Sequence, residues 1–465
     1  MKRILFSFVL FSASITAWAQ NNVLHYTSNI GGNSVWVTNM DGEGHRVSYS
    51  GDIVIPDVVT INNVEYSVTG IAQGTFDGNS RITSVVIGQN VSFIGGNAFQ
   101  NCIGLESIII PASVDSIGAW AFNNAGLKSV KIDDGEIPLK LWDWAGYCVF
   151  SGCPLESIYL GRNYISNGRP FRGFKTLQNV TVSDFVTSIQ DEEFKQSYGV
   201  RNVLLGASIT RIGNSAFEQC DTLSSITLPE SVRSIGQYAF YSCDSLSVIN
   251  IPSQVYLIEG SAFQYCPDLE SITIPASVDS IGSWAFCNSG LKNVRIEDSE
   301  IPLKLWDWGG YCVFNANPLA NVYLGRNYIS NGRPFRGFTT IKTATIGSLV
   351  NNLQNSEFEG CKGLETIYSL SEIPPTCGSR VFYGVNKETC KLYVPELSIE
   401  LYKGAYAWNE FFNIEDAVKN ILIDDNSAID NGTWFNINGQ SLDNAKRGMN
   451  ILRTEDGKAV KVFIK

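Results

Sequence analysis

Histidine is almost absent from this chain of 465 residues, which holds only His25 and His45. A Ser-His-Asp or Cys-His catalytic site is therefore excluded from most of its length, and a His-ligated zinc site has at most two ligands available. No G-x-x-x-x-G-K-[ST] phosphate loop occurs. After the first 19 residues no run is long and apolar enough to span a bilayer. Basic residues are also scarce, 34 against 45 acidic, for a formal net charge of −11. That balance argues against nucleic acid or an anionic membrane face as partner. No EF-hand spacing is present, so neither a metal nor a cofactor is expected.

What is present begins with MKRILFSFVLFSASITAWAQ. Lys2 and Arg3 precede an apolar stretch that ends at Ala17-Trp18-Ala19, the pattern of a secretory signal peptide over residues 1–19. Its removal makes the mature chain two charges more negative. An extracellular or outer-surface location is expected. No Cys follows the cleavage site, so a lipid anchor is not indicated.

Beyond the leader, phenylalanine recurs at fixed intervals. Phe76, Phe99 and Phe122 are 23 residues apart, as are Phe171, Phe194, Phe217, Phe240, Phe263 and Phe286. The surrounding unit reads L-x-x-I-x-I-P-x-S-V-x-x-I-G-x-x-A-F-x-x-C. One such unit cannot cover its own apolar face, so a period in the twenties predicts a stacked solenoid of short parallel strands and turns. Burial between units, at roughly 25 cal/mol per Å² of apolar surface, is then the main source of stability.

The spacing slips twice. Phe122 to Phe150 spans 28 residues and Phe150 to Phe171 spans 21, and the same two steps recur at Phe286, Phe314 and Phe335. Residues 270–338 repeat 106–174 with 54 of 69 positions identical, which marks an internal duplication. Likeness between the copies needs no functional explanation.

Eleven cysteines are an odd number for an exported chain. Cys102, Cys153, Cys220, Cys243, Cys266 and Cys361 each follow a periodic Phe by three residues and are expected to be buried, unbridged thiols. Cys377 and Cys390 lie outside that series in one short loop and form the candidate disulfide.

Residues 20–75 do not fit the repeat. IVIPDVVTINNVEYSV predicts a β-hairpin turning at Asn62-Asn63 and serving as an N-terminal cap. The solenoid is expected over 76–367. A C-terminal cap follows over 368–417, with a break at Pro374-Pro375 and a short helix near 396–407. The last segment, 418–465, carries Asn438-Gly439 and Asp456-Gly457 turns and predicts a small antiparallel β unit.

The repeat unit resembles the BspA-like class of bacterial leucine-rich repeats, and the hairpin and the IPPT…LYVP…YK…W segment are similar to the ends of that family. The resemblance implies a leucine-rich-repeat solenoid at or outside the cell surface, acting in adhesion to host proteins or other cells, with no catalytic residues to carry over. The tail NINGQSL…RGMNI…DGKAVKVFIK resembles the C-terminal sorting domains of type IX secretion, and departs from them at Gly448-Met449-Asn450, where such tails read Gly-Ile-Tyr.

Candidate binding residues gather at the two slips. In L-x-x-I-x-I the residue between the inward positions faces outward, which places Lys131 beside Tyr159 and Arg295 beside Tyr323. Each long unit also carries LKLWDW. If that segment is extended, Trp142 and Trp144 share a face with Lys140, and Trp306 and Trp308 do the same in the second copy. With Tyr147, Arg162 and Tyr164, and with Tyr311, Arg326 and Tyr328, these form two aromatic and basic patches suited to a sugar ring or a peptide. The alternative is that the tryptophans roof over the bulge of extra residues. The chain is thus expected to be a non-enzymatic adhesion protein that binds an extracellular or host protein or glycan, with bivalent contact through the paired patches. Other readings are a structural spacer, or a glycan-processing enzyme using Asp133, Asp134 and Glu136 with Glu297, Asp298 and Glu300.

Overall fold

The computed structural model describes residues 23–28, 32–143, 148–306, 312–330 and 332–417, together with the backbone of four strands within 432–464. The leader lies outside the described residues. The chain divides into two compact units, which meet in sequence between Phe171 and Arg172.

Each repeat contributes a longer strand, a short strand and a turn built on the periodic Phe. In the first unit the longer strands Ser107–Ile110, Ser129–Ile132 and Ser157–Leu160 pair in parallel, like residue beside like. A second parallel sheet joins Phe93–Ile94, Ser116–Ile117, Leu139–Leu141 and Tyr164–Ser166. The second unit follows the same plan, with a longer-strand sheet from Ser271–Ile274 through Asn413–Asp416 and a short-strand sheet from Ser188–Ile189 to Tyr328–Ser330. Burial alternates along the longer strands, so every second side chain enters the core and the next faces outward. This is the parallel solenoid that the period predicts.

Phenylalanine stacking runs through the core of each unit. Phe76, Phe99, Phe122, Phe150 and Phe171 are fully buried, with ring centroids 5.0–5.7 Å apart. In the second unit Phe217, Phe240 and Phe263 lie within 5° of parallel. An aromatic ring is turned across one end of each unit's stack: Tyr49 meets Phe76 at 62° in the first unit, and Phe411 meets Phe382 at 82° in the second. Trp408, fully buried, also packs on Phe382 and donates its indole N–H to the Pro375 carbonyl.

Two features of the turn were not visible in the repeat consensus. The residues two before and two after the periodic Phe adopt left-handed backbone, as at Asn97 and Asn101, Ser215 and Gln219, and Trp284 and Asn288. That conformation costs a bulky residue roughly 1–2 kcal/mol. It turns the N–H groups toward the next repeat: Asn97, Phe99 and Asn101 donate to the carbonyls of Ala119, Ala121 and Asn123. Backbone pairing between repeats thereby offsets the local strain. Each series cysteine also has a backbone partner, since Cys102, Cys243 and Cys266 donate to Phe76, Phe217 and Phe240. All six are buried and unbridged, and burial raises their thiols far above the usual range.

The termini differ in detail from the expectation. Val58–Ile61 and Val64–Ile71 form the hairpin, with Asn62 and Asn63 both at positive φ. The Ile53–Ile55 run is not part of it; Gly51–Ile55 pairs in parallel with Ile82–Ile87 and starts the longer-strand ladder. Pro56 separates the two roles by withholding a backbone donor. At the other end the ladder continues beyond Ile367, through Lys391–Val394 to Asn413–Asp416. Pro374-Pro375 sits in a connection between sheets, so it removes no ladder hydrogen bond. The helix spans Ile399–Gly404. Gly432–Asn436, Ser441–Leu442, Gly448–Thr454 and Ala459–Ile464 make an antiparallel sheet. Among the described residues no helix is long and apolar enough to cross a membrane.

Candidate functional site

The LKLW segment is extended, as its alternation requires. Leu139 and Leu141 are buried, Lys140 points outward between Ser116 and Ile165, and the Trp142 N–H is tied to the Ile117 carbonyl. Trp142 leaves 58% of its surface exposed. Ile165, on the neighbouring strand, and Ile137 are exposed as well. The second unit repeats the arrangement with Lys304, Trp306, Ile329 and Ile301, and Trp306 is 57% exposed. In the first unit the Asp143 carboxylate fastens the adjoining loop by accepting from Ser166 Oγ and from the Val149 and Gly168 amides. Trp144, Tyr147, Trp308 and Tyr311 lie outside the described residues.

A second cluster forms on the longer-strand sheet. Lys131 and Tyr159 are register partners, with Nζ 5.7 Å from the ring centroid. Asp133 holds Lys131 at 2.8 Å, and the Tyr159 hydroxyl donates to Asp134 at 2.8 Å. In the second unit the Arg295 guanidinium lies 3.8 Å from the Tyr323 centroid, and Tyr323 donates to Asp298. Burial and the nearby Asp298 raise the Tyr323 hydroxyl pKa. These two residues line a shallow depression of about 240 Å³ together with Thr273, Asn293, Asn321 and Thr345.

Asp134 and Asp298 were not foreseen as tyrosine partners, because they reach across from a neighbouring repeat. Their engagement also bears on hydrolysis. Asp133, Asp134 and Asp298 each hold a cation or a tyrosine, and Glu297 accepts from the Ala276 amide.

The tryptophan strip and the Lys131–Tyr159 pair lie on different sheets. Trp142 adjoins the short-strand sheet and Lys131–Tyr159 lies on the longer-strand sheet, because residues 135–138 carry the chain from one ladder to the other between them. Arg162 and Arg326 are also misplaced by the sequence argument. Each is 1% exposed. Arg162 donates to the carbonyls of Pro111, Ala112, Val114 and Ile137, and Arg326 to those of Pro275, Ala276, Val278 and Ile301. They tie together the bends of three repeats and are not offered to a ligand. Tyr164 and Tyr328 are buried too, set edge-on against Phe171 and Phe335. The Cys377–Cys390 bridge is absent; both are free thiols. Cys377 lies in the short strand paired with Asn352–Leu353, whereas Cys390 leads into the longer-strand sheet.

The hydroxyl of Tyr328 donates to Glu357, a fully buried carboxyl whose pKa burial raises to about 7. The unfolded carboxyl titrates near 4.5. Between those values the folded chain holds the extra proton, so this contribution is complete below the lower value and is lost as pH rises through the upper one. The loss amounts to at most about 3 kcal/mol. Denaturation measured from pH 4 to 8 should show that fall, and Glu357→Gln should flatten it. An equal slope in both proteins would contradict the assignment.

The description "BspA type leucine rich repeat region (6 copies)" matches residues 69–138 and, in overlapping stretches, 145–389. The chain belongs to the BspA-type leucine-rich-repeat family. No curated protein matches it. Among solved structures, a leucine-rich repeat protein from Bacteroides ovatus is 22% identical, with a TM-score of 0.44, and the alignment covers 85% of this chain and 98% of that one. A leucine rich cell surface protein from Faecalibacterium prausnitzii is 24% identical over 76% and 96% of the two chains, with a TM-score of 0.33. The pneumococcal vaccine antigen PcpA is 18% identical over 86% and 96%, with a TM-score of 0.31. In BspA-type terms the periodic Phe and Cys are scaffold, and the exposed tryptophans belong to the long units that interrupt it.

Proposed function

We propose that this BspA-type protein is exported to the cell surface or beyond and binds an extracellular protein or glycan there. The observation that carries the reading is the exposed Trp–Lys–Ile strip, Trp142 with Lys140 and Ile165, repeated as Trp306 with Lys304 and Ile329. An indole more than half exposed and flanked by aliphatic surface costs solvation energy unless a partner covers it. A spacer has no need of such a strip. The paired strips support a bivalent contact, in which weak sites act together. The net negative charge disfavours anionic partners. The signal peptide over 1–19 supports export, and the tail's likeness to sorting domains supports a type IX route.

A glycan and matrix-protein array probed with the secreted chain tests the reading. At least one extracellular ligand should give a signal that is lost when Trp142, Trp144, Trp306 and Trp308 are all replaced by Ala. A folded quadruple variant that keeps the parent's signals would refute it.

A further inference from the structure

The turns of the second unit hold a cluster that the fold does not require. Around Phe99 in the first unit, the positions two before, one after and two after the ring are Asn97, Gln100 and Asn101. Their amides bond to one another and along the stack, Asn97 to Gln100, Gln100 to Asn123 at 3.2 Å, and Asn101 to Asp77 at 3.3 Å. Around Phe240 and Phe263 the corresponding places are taken by Tyr238, Tyr241 and Tyr265. Tyr238 meets Tyr241 edge-on at 5.4 Å and 80°, and Tyr241 meets Tyr265 at 5.4 Å and 85°. Tyr238 and Tyr265 stand at φ 58° and 60°, in the left-handed region that suits Asn or Gly far better than a bulky ring. Three aromatic side chains thus converge on turn positions that amides fill elsewhere on the same backbone.

The surroundings narrow the ligand class. Tyr265 is 42% exposed, and the other two rings are half-buried. Most neighbouring turn positions are polar, Glu218, Gln219, Ser242, Gln264 and Asn288, with Trp284 and Cys287 in the turn that follows Tyr265. Ser242 and Glu218 lie close to Tyr241. No aliphatic side chain occupies these positions, so the cluster lacks the aliphatic surround of a protein hot spot. A cationic ligand would find Glu218 already paired with Lys195 at 2.9 Å. A sugar ring fits both parts, with its C–H face on a tyrosine and its hydroxyls toward amide and carboxylate groups. We propose that Tyr238, Tyr241 and Tyr265 form a stacking platform for a neutral glycan, separate from the tryptophan strips.

Calorimetric titration of the full secreted chain with cellohexaose, laminarihexaose, maltohexaose and mannohexaose tests this. At least one hexasaccharide should bind. Replacing the three residues with those of the Phe99 turn, Tyr238→Asn, Tyr241→Gln and Tyr265→Asn, should weaken it at least tenfold. Tyr256→Ser, at an exposed tyrosine outside the cluster, should leave it unchanged. Tyr265→Asn alone, the most exposed position, gives the same reading should the triple variant not fold. Failure of all four sugars to bind the parent, undiminished affinity in the folded tyrosine variants, or tyrosine-dependent capture of matrix proteins without any sugar would overturn the proposal.

Discussion

Replacing Phe240 with alanine is expected to cost about 3–5 kcal/mol, the usual range for emptying a fully buried aromatic site. Its ring is 0% exposed and sits between Phe217 at 5.4 Å and Phe263 at 5.3 Å, nearly parallel to both. Collapse cannot readily fill the gap, because each neighbour is held in its own turn by backbone bonds to the next repeat, as in Phe217 to Ala239 and Phe240 to Ala262. In a solenoid the loss also reaches beyond one unit, since every repeat is stabilised mainly by its two neighbours. Chemical denaturation should therefore show the second unit shifting to lower denaturant. A Leu at the same place should recover part of the loss by restoring volume without the stacked ring. A cost below about 1 kcal/mol for the alanine variant would mean that the stack contributes little.

A comparable loss is expected from Arg326→Met, about 3–5 kcal/mol, through a different mechanism. The side chain volume is roughly kept, but the carbonyls of Pro275, Ala276, Val278 and Ile301 lose their shared donor inside the protein. Buried acceptors left without a partner cost more than the hydrogen bonds were worth in net terms. Burial lowers the guanidinium pKa, and the charges of Asp279 and Glu297 counteract that shift. Lysine should rescue poorly, since a point ammonium cannot span carbonyls arranged for a planar fork. Arg162→Met tests the same device in the first unit. Equal stability of parent and methionine variants would show that the carbonyls find other partners.

The arginines mark where sequence reasoning stops. Periodicity identified the fold because a 23-residue recurrence of Phe, Ile and Leu has few other physical explanations, and alternation oriented Leu139, Lys140, Leu141 and Trp142 correctly. Arg162 looked like surface charge because charged residues are rarely buried, and the four carbonyls that justify its burial come from residues 25 to 51 positions earlier. Tyr164 was misplaced for a related reason: at the irregular step it turns inward and packs edge-on against Phe171, whereas the regular repeats carry Asp115, Arg233 or Tyr256 seven residues before the periodic Phe. The left-handed turn residues escaped notice because Asn, Ser, Gln, Tyr and Trp share those positions, and composition there does not betray a single backbone conformation. The separation of the tryptophan strip from the Lys131–Tyr159 pair depended on which ladder residues 139–141 join, which spacing alone leaves open.

The most direct test of the binding account uses an array ligand immobilised at low density. The parent is compared with the Trp142/Trp144 double variant, the Trp306/Trp308 double variant and the quadruple variant, all to alanine and all with matched melting curves. Each double variant should lose at least about tenfold in apparent affinity, equivalent to roughly 1.4 kcal/mol, and the quadruple variant should not bind. Parent-like binding by a folded quadruple variant would contradict the account.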